Sequence, residues 1–296
     1  MAEPVVTPAM ARRCFRKAEP IHGMIYFTPH GAECYAKTGI THQRMAYFAS
    51  RSAAMGAVPA ETVIATFFNF SPELVRRAIP AAWQITTPAQ VLAARFEAVD
   101  RSLRQAWGTD VGSPAVREAA DLARRAAEHA TSRPEGRPLF ASHAALPWPQ
   151  QPHLVLWHAQ TLLREYRGDG HVALLLTEGL DGLGALITHA ATGSIPAEAL
   201  RTSRAWSEKD WAEGENRARA QGWLEPGPQL ALSEDGKRRR QSIEDRTDEL
   251  AIFPYTAIGA TGCNRLAELT APLSAAVTTA DLGFPAALAA RYAQSQ

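Results

Sequence analysis

The stretch from residue 203 to residue 250 restricts the fold of this chain more than any other part of the sequence. Ser207 has the position of an N-cap residue, and Gly222 suits the left-handed residue that ends the helix begun there. A turn rich in proline and glycine and a short apolar strand at residues 230–232 come next, and Ser233 then begins a second long helix. A helix, a tight hairpin and a long helix in this order predict the second half of a winged helix.

The charges on this segment do not suit the binding of DNA. A recognition helix enters the major groove with its first turns, and phosphate contacts need lysine or arginine. The first turns of this helix carry Glu208, Lys209, Asp210, Glu213 and Glu215. The turn at residues 225–229 has no basic residue, and the basic run at residues 237–240 lies beyond it on the next helix. The sequence therefore predicts a winged-helix shape and disfavours DNA as its partner.

Composition and charge describe an ordinary globular protein with no strong attraction to polyanions. The chain has 296 residues, 46% of them hydrophobic, which suits one large domain or two smaller ones. Its formal net charge of +1 gives no overall electrostatic preference for nucleic acid or for an anionic membrane.

Cysteine usage and hydrophobic runs predict a cytoplasmic protein that does not cross a membrane. Cys14, Cys34 and Cys263 are odd in number and far apart in the sequence, which argues against a disulfide framework or a structural zinc site. Residues 1–11 lack the apolar centre of a signal peptide. No stretch of the chain reaches the roughly 18 consecutive apolar residues that a membrane span needs.

Several helix starts are marked by a hydroxyl N-cap followed by proline at the first helical position, a combination that favours helix initiation. The helices predicted in this way span residues 29–38, 72–79, 88–107 and 114–130. Strand-like patterns occur at residues 63–70, where a short buried helix is the alternative, and at residues 230–232. The predicted fold class is therefore mainly α: a helical bundle with a winged-helix unit in its C-terminal part and very little β structure.

A proline-rich stretch divides the chain. Residues 134–151 contain too many prolines for a helix, yet they include apolar and aromatic side chains that a solvated linker would lack. This pattern predicts a packed, extended crossover between an N-terminal helical domain, residues 1–133, and a C-terminal helical domain, residues 152–296. The winged-helix-like unit would occupy residues 194–250 of the second domain.

The densest group of polar side chains in an apolar setting follows this crossover. The sequence predicts one helix, a Gly-Asp-Gly break at residues 168–170, and a second helix capped by Asp169. Two antiparallel helices joined by so short a turn would bring His158 and Glu165 opposite His171. Imidazoles that titrate near neutral pH, oriented by carboxylates, suit acid/base chemistry.

This arrangement predicts two sets of functional residues. The predicted catalytic residues are His158 and His171 as the proton-transfer pair and Glu165 or Asp169 as the group that orients them. The predicted substrate-binding residues are Arg164, Arg167, His143, His153, Trp157 and Asn69, with the arginines holding an anionic group. Each of these residues also has an ordinary structural alternative, as a core, capping or ion-pairing residue.

No cofactor and no metal are predicted. Histidine and glutamate on facing helices can coordinate a divalent ion, but this region has neither a His-Glu-x-x-His nor a Glu-x-x-His sequence. The chain also lacks the glycine-rich phosphate-binding loops and the Gly-x-Ser-x-Gly turn of hydrolases.

Parts of the chain resemble known proteins. The winged helix and closing helix of MarR-type regulators resemble Gln221-Gly222-Trp223-Leu224 and Leu232-Ser233-Glu234-Asp235-Gly236-Lys237. The whole chain, through Phe67-Phe68-Asn69-Phe70 and Leu156-Trp157-His158-Ala159, is similar to an actinobacterial helix-turn-helix family of largely unknown function. The MarR likeness implies a helical, often dimeric protein with a small-molecule pocket between its helices and its DNA-binding lobe. The acidic helix start and the short turn without basic residues depart from that pattern.

Three hypotheses of function follow. The first is a winged-helix-derived protein that binds a small organic metabolite in an interhelical pocket and converts it as a cofactor-independent acid/base enzyme, by elimination, isomerisation or cyclisation. The alternative is a MarR-like, ligand-responsive transcriptional regulator whose basic residues at 12–17 and 237–240 contact phosphates. The third is a scaffold protein without chemistry.

Overall fold

The computed structural model describes residues 5–294, which are mainly helical with almost no strand. The α-helices are α1 Pro8–Gly23, α2 Pro29–Ala36, α3 Gln43–Ser52, α4 Ala60–Phe67, α5 Pro72–Ala78, α6 Ala81–Ile85, α7 Pro88–Trp107, α8 Pro114–Ala130, α9 Pro138–Ala144, α10 Pro152–Thr177, α11 Gly182–Ala190, α12 Ala197–Ser203, α13 Glu208–Ala220, α14 Glu234–Leu250, α15 Gly259–Thr279 and α16 Ala286–Gln294. Short 3₁₀ turns occur at Met24–Tyr26, Ala53–Met55, Gly108–Gly112 and Phe253–Ala257. The mainly α fold class is thus confirmed.

The helix starts that the sequence marks with a hydroxyl and a proline are confirmed. Helices α7 and α8 begin and end at the predicted residues, while α2 and α5 end one or two residues early. Thr87 forms a complete capping box with Gln90, and Ser113 accepts a hydrogen bond from the third backbone N–H of α8. Ser207 and Ser233 cap α13 and α14 in the same way. These caps act within one turn, so local sequence is enough to predict them.

Neither strand-like pattern forms a regular strand, and the helical alternative for residues 63–70 is the one confirmed. Residues 63–70 mostly belong to α4, which begins after Pro59 and buries Val63 and Phe67 four positions apart on one face. A short apolar run fits a buried helix as well as a strand, and its packing decided the outcome. Residues 230–232 contribute only an isolated antiparallel bridge between Leu224 and Leu232.

The predicted break in the polar region is also wrong, because α10 is one continuous helix of 26 residues. Glycine lowers helix stability by only about 1 kcal/mol relative to alanine, so packing can carry a helix through it. Gly170 packs against Leu250 of α14, and Asp169 accepts a hydrogen bond from the backbone N–H of Phe140 at 2.9 Å instead of capping a new helix. Residues 134–151, predicted as an extended crossover, contain the short helix α9.

The apolar side chains form two cores, which define a bundle and a lobe. The bundle is built on α1–α9, α15 and the first part of α10, as far as Tyr166. The C-terminal lobe, residues 174–243, has its own core around Trp211 and Trp223. Helix α10 belongs to both cores, because its last turns, from Leu174 onward, pack in the lobe. The division into domains at residues 134–151 stays a prediction.

The lobe is attached to the bundle through the backbone that follows α4. The indole N–H of Trp206 donates to the carbonyl of Asn69 at 3.0 Å, and the N–H of Ser71 donates to the carbonyl of Arg204 at 3.0 Å. Gly182, at the start of α11, lies directly against the Phe68 carbonyl, where an added Cβ would overlap it. These contacts fix one wall of the space between bundle and lobe.

Within residues 5–294, no single helix is long and apolar enough to cross a membrane. One pair, Pro152–Thr177 with Gly182–Ala190, has the necessary length and composition only when its members are counted together across a bend of 95°.

Candidate functional site

A cleft of about 400 Å³ lies between the bundle and the lobe. Its walls come from α1, α3, the end of α4, α10 and α14, together with the residue that follows α12. Six of the predicted site residues line it: Asn69, Arg164, Glu165, Arg167, Asp169 and His171. The aromatic rings of Tyr47, Phe67 and Phe70 complete the wall on the bundle side.

Glu165 is the central carboxylate of this cleft. It accepts hydrogen bonds from Arg164 at 3.0 Å and from Arg51 at 3.4 Å, and its side chain is buried. Burial raises the pKa of Glu165, but the two guanidinium groups outweigh burial and bring it to about 2. The carboxylate of Glu165 is therefore ionised and paired with arginines of the protein.

Arg204 is the guanidinium of the cleft that has no acidic partner. Within residues 5–294 it makes no ion pair; its Nη1 donates to the Ser203 hydroxyl at 2.8 Å and its Nε has no hydrogen-bond partner. Its guanidinium lies 5.3 Å from the centre of the Phe70 ring. Burial lowers the pKa of Arg204, which reflects a cation removed from water without a counter-ion.

The other three arginines of the cleft, Arg51, Arg164 and Arg167, have acidic partners. Arg164 donates to Glu19 at 3.2 Å, and Arg167 lies 2.6 Å from Asp248, which also binds Arg12. These ion pairs hold both side chains in position along α10. They leave the cleft with more guanidinium groups than free carboxylates.

Asp169 and His171 are the groups of the cleft that suit proton transfer. Burial raises the pKa of Asp169 to about 6, while its hydrogen bond from Phe140 acts in the opposite direction. Burial lowers the pKa of His171, whose Nδ1 is 2.9 Å from the Thr247 hydroxyl. A carboxyl group that titrates near pH 6 and a neutral imidazole in the wall of the same cleft can each exchange protons with a bound molecule.

The predicted pair of His158 and His171 is not brought together. The two residues lie 13 positions apart on one continuous helix, which separates them by about 20 Å along its axis. His158 is buried inside the bundle, packed against the rings of Phe96 and Trp148 at 5.9 and 4.9 Å. The predicted geometry required a break in α10 that does not exist.

Three more predicted residues also lie outside the cleft. His143 is buried in the bundle, and burial lowers its pKa to about 3. Trp157 is fully buried and stacks on the ring of His22 at 5.8 Å. The Nε2 of His153 is 2.6 Å from Asp100 of α7, while its Nδ1 is buried without a hydrogen-bond partner.

Three arginines near these groups were missed in the sequence. Arg95 carried a signal, because it lies four positions from both Val91 and Val99 on the apolar face of α7. A charged residue in such an apolar stripe is expected to be buried with the rest of the stripe, and Arg95 is 1% exposed. Arg51 and Arg204 carried no such signal, because they belong to elements that only the tertiary fold brings to α10.

The basic residues predicted as possible phosphate contacts at 237–240 all form ion pairs with neighbouring carboxylates. Each residue of the basic run has an acidic partner: Lys237 with Glu234, Arg238 with Asp235, Arg239 with Glu178 and Arg240 with Glu244. Arg239 also lies over the ring of Trp223, 3.6 Å from its centre. Glu208 and Asp210 are exposed at the start of α13. Helix α13, which the sequence predicted as a recognition helix, thus presents carboxylates.

In the part of the chain that the structure describes, no three His, Cys, Asp or Glu side chains are grouped so that they could hold a metal ion. Cys14, Cys34 and Cys263 are free and buried.

Comparison with known proteins identifies the chain at the level of a family. No curated protein and no solved structure matches it. A family model described as a helix-turn-helix family matches residues 11–284, which include both the bundle and the lobe. Because this match extends over nearly the whole sequence, the chain belongs to that helix-turn-helix family.

Proposed function

We propose that this chain binds a small organic anion in the cleft between the bundle and the lobe. The observation that carries the proposal is Arg204, a partly buried guanidinium in the cleft wall without an acidic partner. A buried cation needs a counter-charge, and Arg binds carboxylates with two parallel hydrogen bonds. The rings of Phe67 and Phe70 would cover the apolar part of the same ligand.

The proposal extends to cofactor-independent acid/base catalysis on that ligand. Asp169 would give or take the proton, because its raised pKa lies close to physiological pH. His171 lines the same cleft and would act as a neutral hydrogen-bonding group. The reaction class remains an elimination, isomerisation or cyclisation, and Asp169 with His171 replaces the earlier pair of histidines.

Calorimetric titration with benzoate tests the binding step, with benzamide as the uncharged analogue of the same shape. Benzoate should bind and benzamide should not. Arg204→Met should weaken benzoate binding by about 10- to 100-fold, because one charge-assisted interaction is worth about 1.5–3 kcal/mol.

Arg217→Met is the matched control, since Arg217 is an exposed arginine of the same lobe that pairs with Asp181. It should leave benzoate affinity unchanged. Equal binding of benzamide and benzoate, or full benzoate affinity in Arg204→Met, would refute the anion-binding cleft.

The titration of Asp169 should be visible in the pH dependence of stability. Its pKa is about 6 in the folded protein against an ordinary value of 3.8, so the folded state binds a proton more tightly than the unfolded state. Stability attributable to Asp169 therefore increases as pH falls from about 7 to about 4. In urea unfolding across this range, the free energy of unfolding of the wild type relative to that of Asp169→Asn should increase as the pH falls. Asp121→Asn, at an exposed position on α8, should show no such shift.

The second candidate is a DNA-binding regulator, which membership of a helix-turn-helix family favours. In this case α13, the turn joined by the Leu224–Leu232 bridge, and α14 would act as a winged helix. The internal ion pairs of residues 237–240 count against it.

Fluorescence anisotropy of a labelled mixed-sequence duplex separates the two candidates. We expect no binding at about 50 mM salt, since the exposed face of the lobe offers few free cations. Binding at about 50 mM that falls by orders of magnitude at about 200 mM would establish the regulator instead. Replacement of both Lys237 and Arg238 by uncharged residues would then have to reduce the affinity for the duplex.

A further inference from the structure

We infer a second anion-binding site inside the bundle, formed by the guanidinium of Arg95 and specific for a carboxylate group. This site is separate from the cleft, whose lining does not include Arg95. Arg95 projects from α7 and is 1% exposed, so it is more deeply buried than any arginine of the cleft.

The hydrogen bonding of Arg95 is only half complete. Nη1 donates to the carbonyl of Ser50 at 2.6 Å, which fixes the orientation of the side chain. Nε and Nη2 are buried and have no hydrogen-bond partner. These two atoms share one edge of the guanidinium, and their N–H groups form the fork that binds a carboxylate with two parallel hydrogen bonds. The unused edge therefore has the geometry of a carboxylate receptor.

Arg95 also has no counter-ion in direct contact. Within residues 5–294 it forms no ion pair, and Glu165, which interacts with it at longer range, is already paired with Arg51 and Arg164. The Trp157 ring, 5.1 Å from the guanidinium, stabilises the cation only in part. A buried, permanent charge of this kind requires a counter-ion.

The groups around Arg95 are suited to an anion and not to a second cation. His158 is buried with both ring nitrogens unpartnered, and Arg95 contributes to its lowered pKa after burial. The pKa of His143 is also lowered, first by burial and then by Arg95. Both imidazoles are thus neutral near pH 7 and can each donate one N–H to an anion. The aromatic rings of Phe96 and Trp148 pack against His158.

The backbone of α3 links this site to the cleft. Ser50, whose carbonyl holds Arg95, directly precedes Arg51, whose side chain lines the cleft. The inference does not depend on the proposed function, because Arg95 needs a counter-ion whether or not the cleft binds a ligand.

Thermal unfolding of the full-length protein in formate tests this site, with ionic strength held constant by a bulky sulfonate buffer anion. Because formate can also occupy the cleft, the Tm of Arg204→Met, which lacks the free cation of the cleft, is the reference. Beyond saturation of the Arg95 site, this Tm should rise by about 2 °C for each tenfold increase in formate, as expected for one bound ligand in a chain of this length. The double variant Arg95→Met/Arg204→Met should lose this dependence.

Equilibrium dialysis with labelled formate measures the same site without relying on stability. Wild type and Arg204→Met should share one binding site that Arg95→Met lacks. If Arg95→Met does not fold, Arg95→Lys keeps the charge without the fork and should bind formate at least about tenfold more weakly. Wild type without any response to formate would overturn the inference, as would Arg95→Lys with wild-type affinity. An equal response to chloride would replace the carboxylate receptor by a site for any small anion and so overturn the assigned specificity.

Discussion

Glu165→Gln should lower the free energy of unfolding by about 3–5 kcal/mol, the usual cost of removing one partner from a buried ion pair. Glu165 is buried and is the acceptor shared by Arg51 and Arg164. Glutamine has nearly the same size, so the loss would come from two partly buried guanidinium groups that no longer have the Glu165 charge beside them. Urea unfolding at neutral pH measures the difference directly.

The control is Glu61→Gln, because the Glu61 side chain is 68% exposed and pairs with an exposed arginine, Arg76. It should change stability by at most about 1 kcal/mol.

The pH dependence of stability gives a second check. The pKa of Glu165 is about 2 in the folded protein and 4.5 ordinarily, so its contribution is present above pH 4.5 and is lost as pH falls towards about 2. Glu165→Gln should lack that loss, and equal acid sensitivity of the two proteins would contradict the assignment.

Gly182→Ala should destabilise the protein by about 2–3 kcal/mol through overpacking between the lobe and the bundle. The added Cβ would overlap the backbone carbonyl of Phe68, which cannot move aside as a side chain can. Since Asn69 follows Phe68 and lines the cleft, the same substitution should weaken benzoate binding. Chemical unfolding and calorimetric titration of one variant measure both effects.

Gly168→Ala is the matched control, because Gly168 lies on α10 with only the Glu165 carboxylate near an added Cβ, at 3.6 Å. Alanine is favoured over glycine in a helix by about 1 kcal/mol, so this variant should be unchanged or slightly more stable. A Gly182→Ala protein as stable as Gly168→Ala would mean that α11 does not pack on Phe68 in solution.

The helices were predictable wherever their ends are decided locally. Thr87 and Ser113 act on N–H groups three residues away, so sequence alone located α7 and α8. The error in α10 has the opposite origin. Two glycines around Asp169 indicate a break by local rules, but packing of Gly170 on Leu250 and the bond from Phe140 to Asp169 hold the helix together. Those contacts join residues far apart in sequence.

The candidate site was predictable only in part, for a similar reason. The polar residues of α10 attracted attention because they interrupt an apolar helix, and those from Arg164 to His171 do line one cleft. Their partners, Arg51 and Arg204, come from distant elements and look like ordinary surface arginines in the sequence. Arg95 could have been found, since a guanidinium on an apolar helical face has few explanations other than a buried role.

The continuity of α10 has a mechanical consequence for the two halves of the molecule. From Arg164, in the cleft wall, to the end of the helix at Thr177 the distance is about 20 Å. If this part of the helix moves as a rigid rod, a tilt of about 10° at the cleft displaces its far end by about 3.5 Å. A ligand that tilted α10 in the cleft would therefore also displace the lobe, because no break in the helix separates the two.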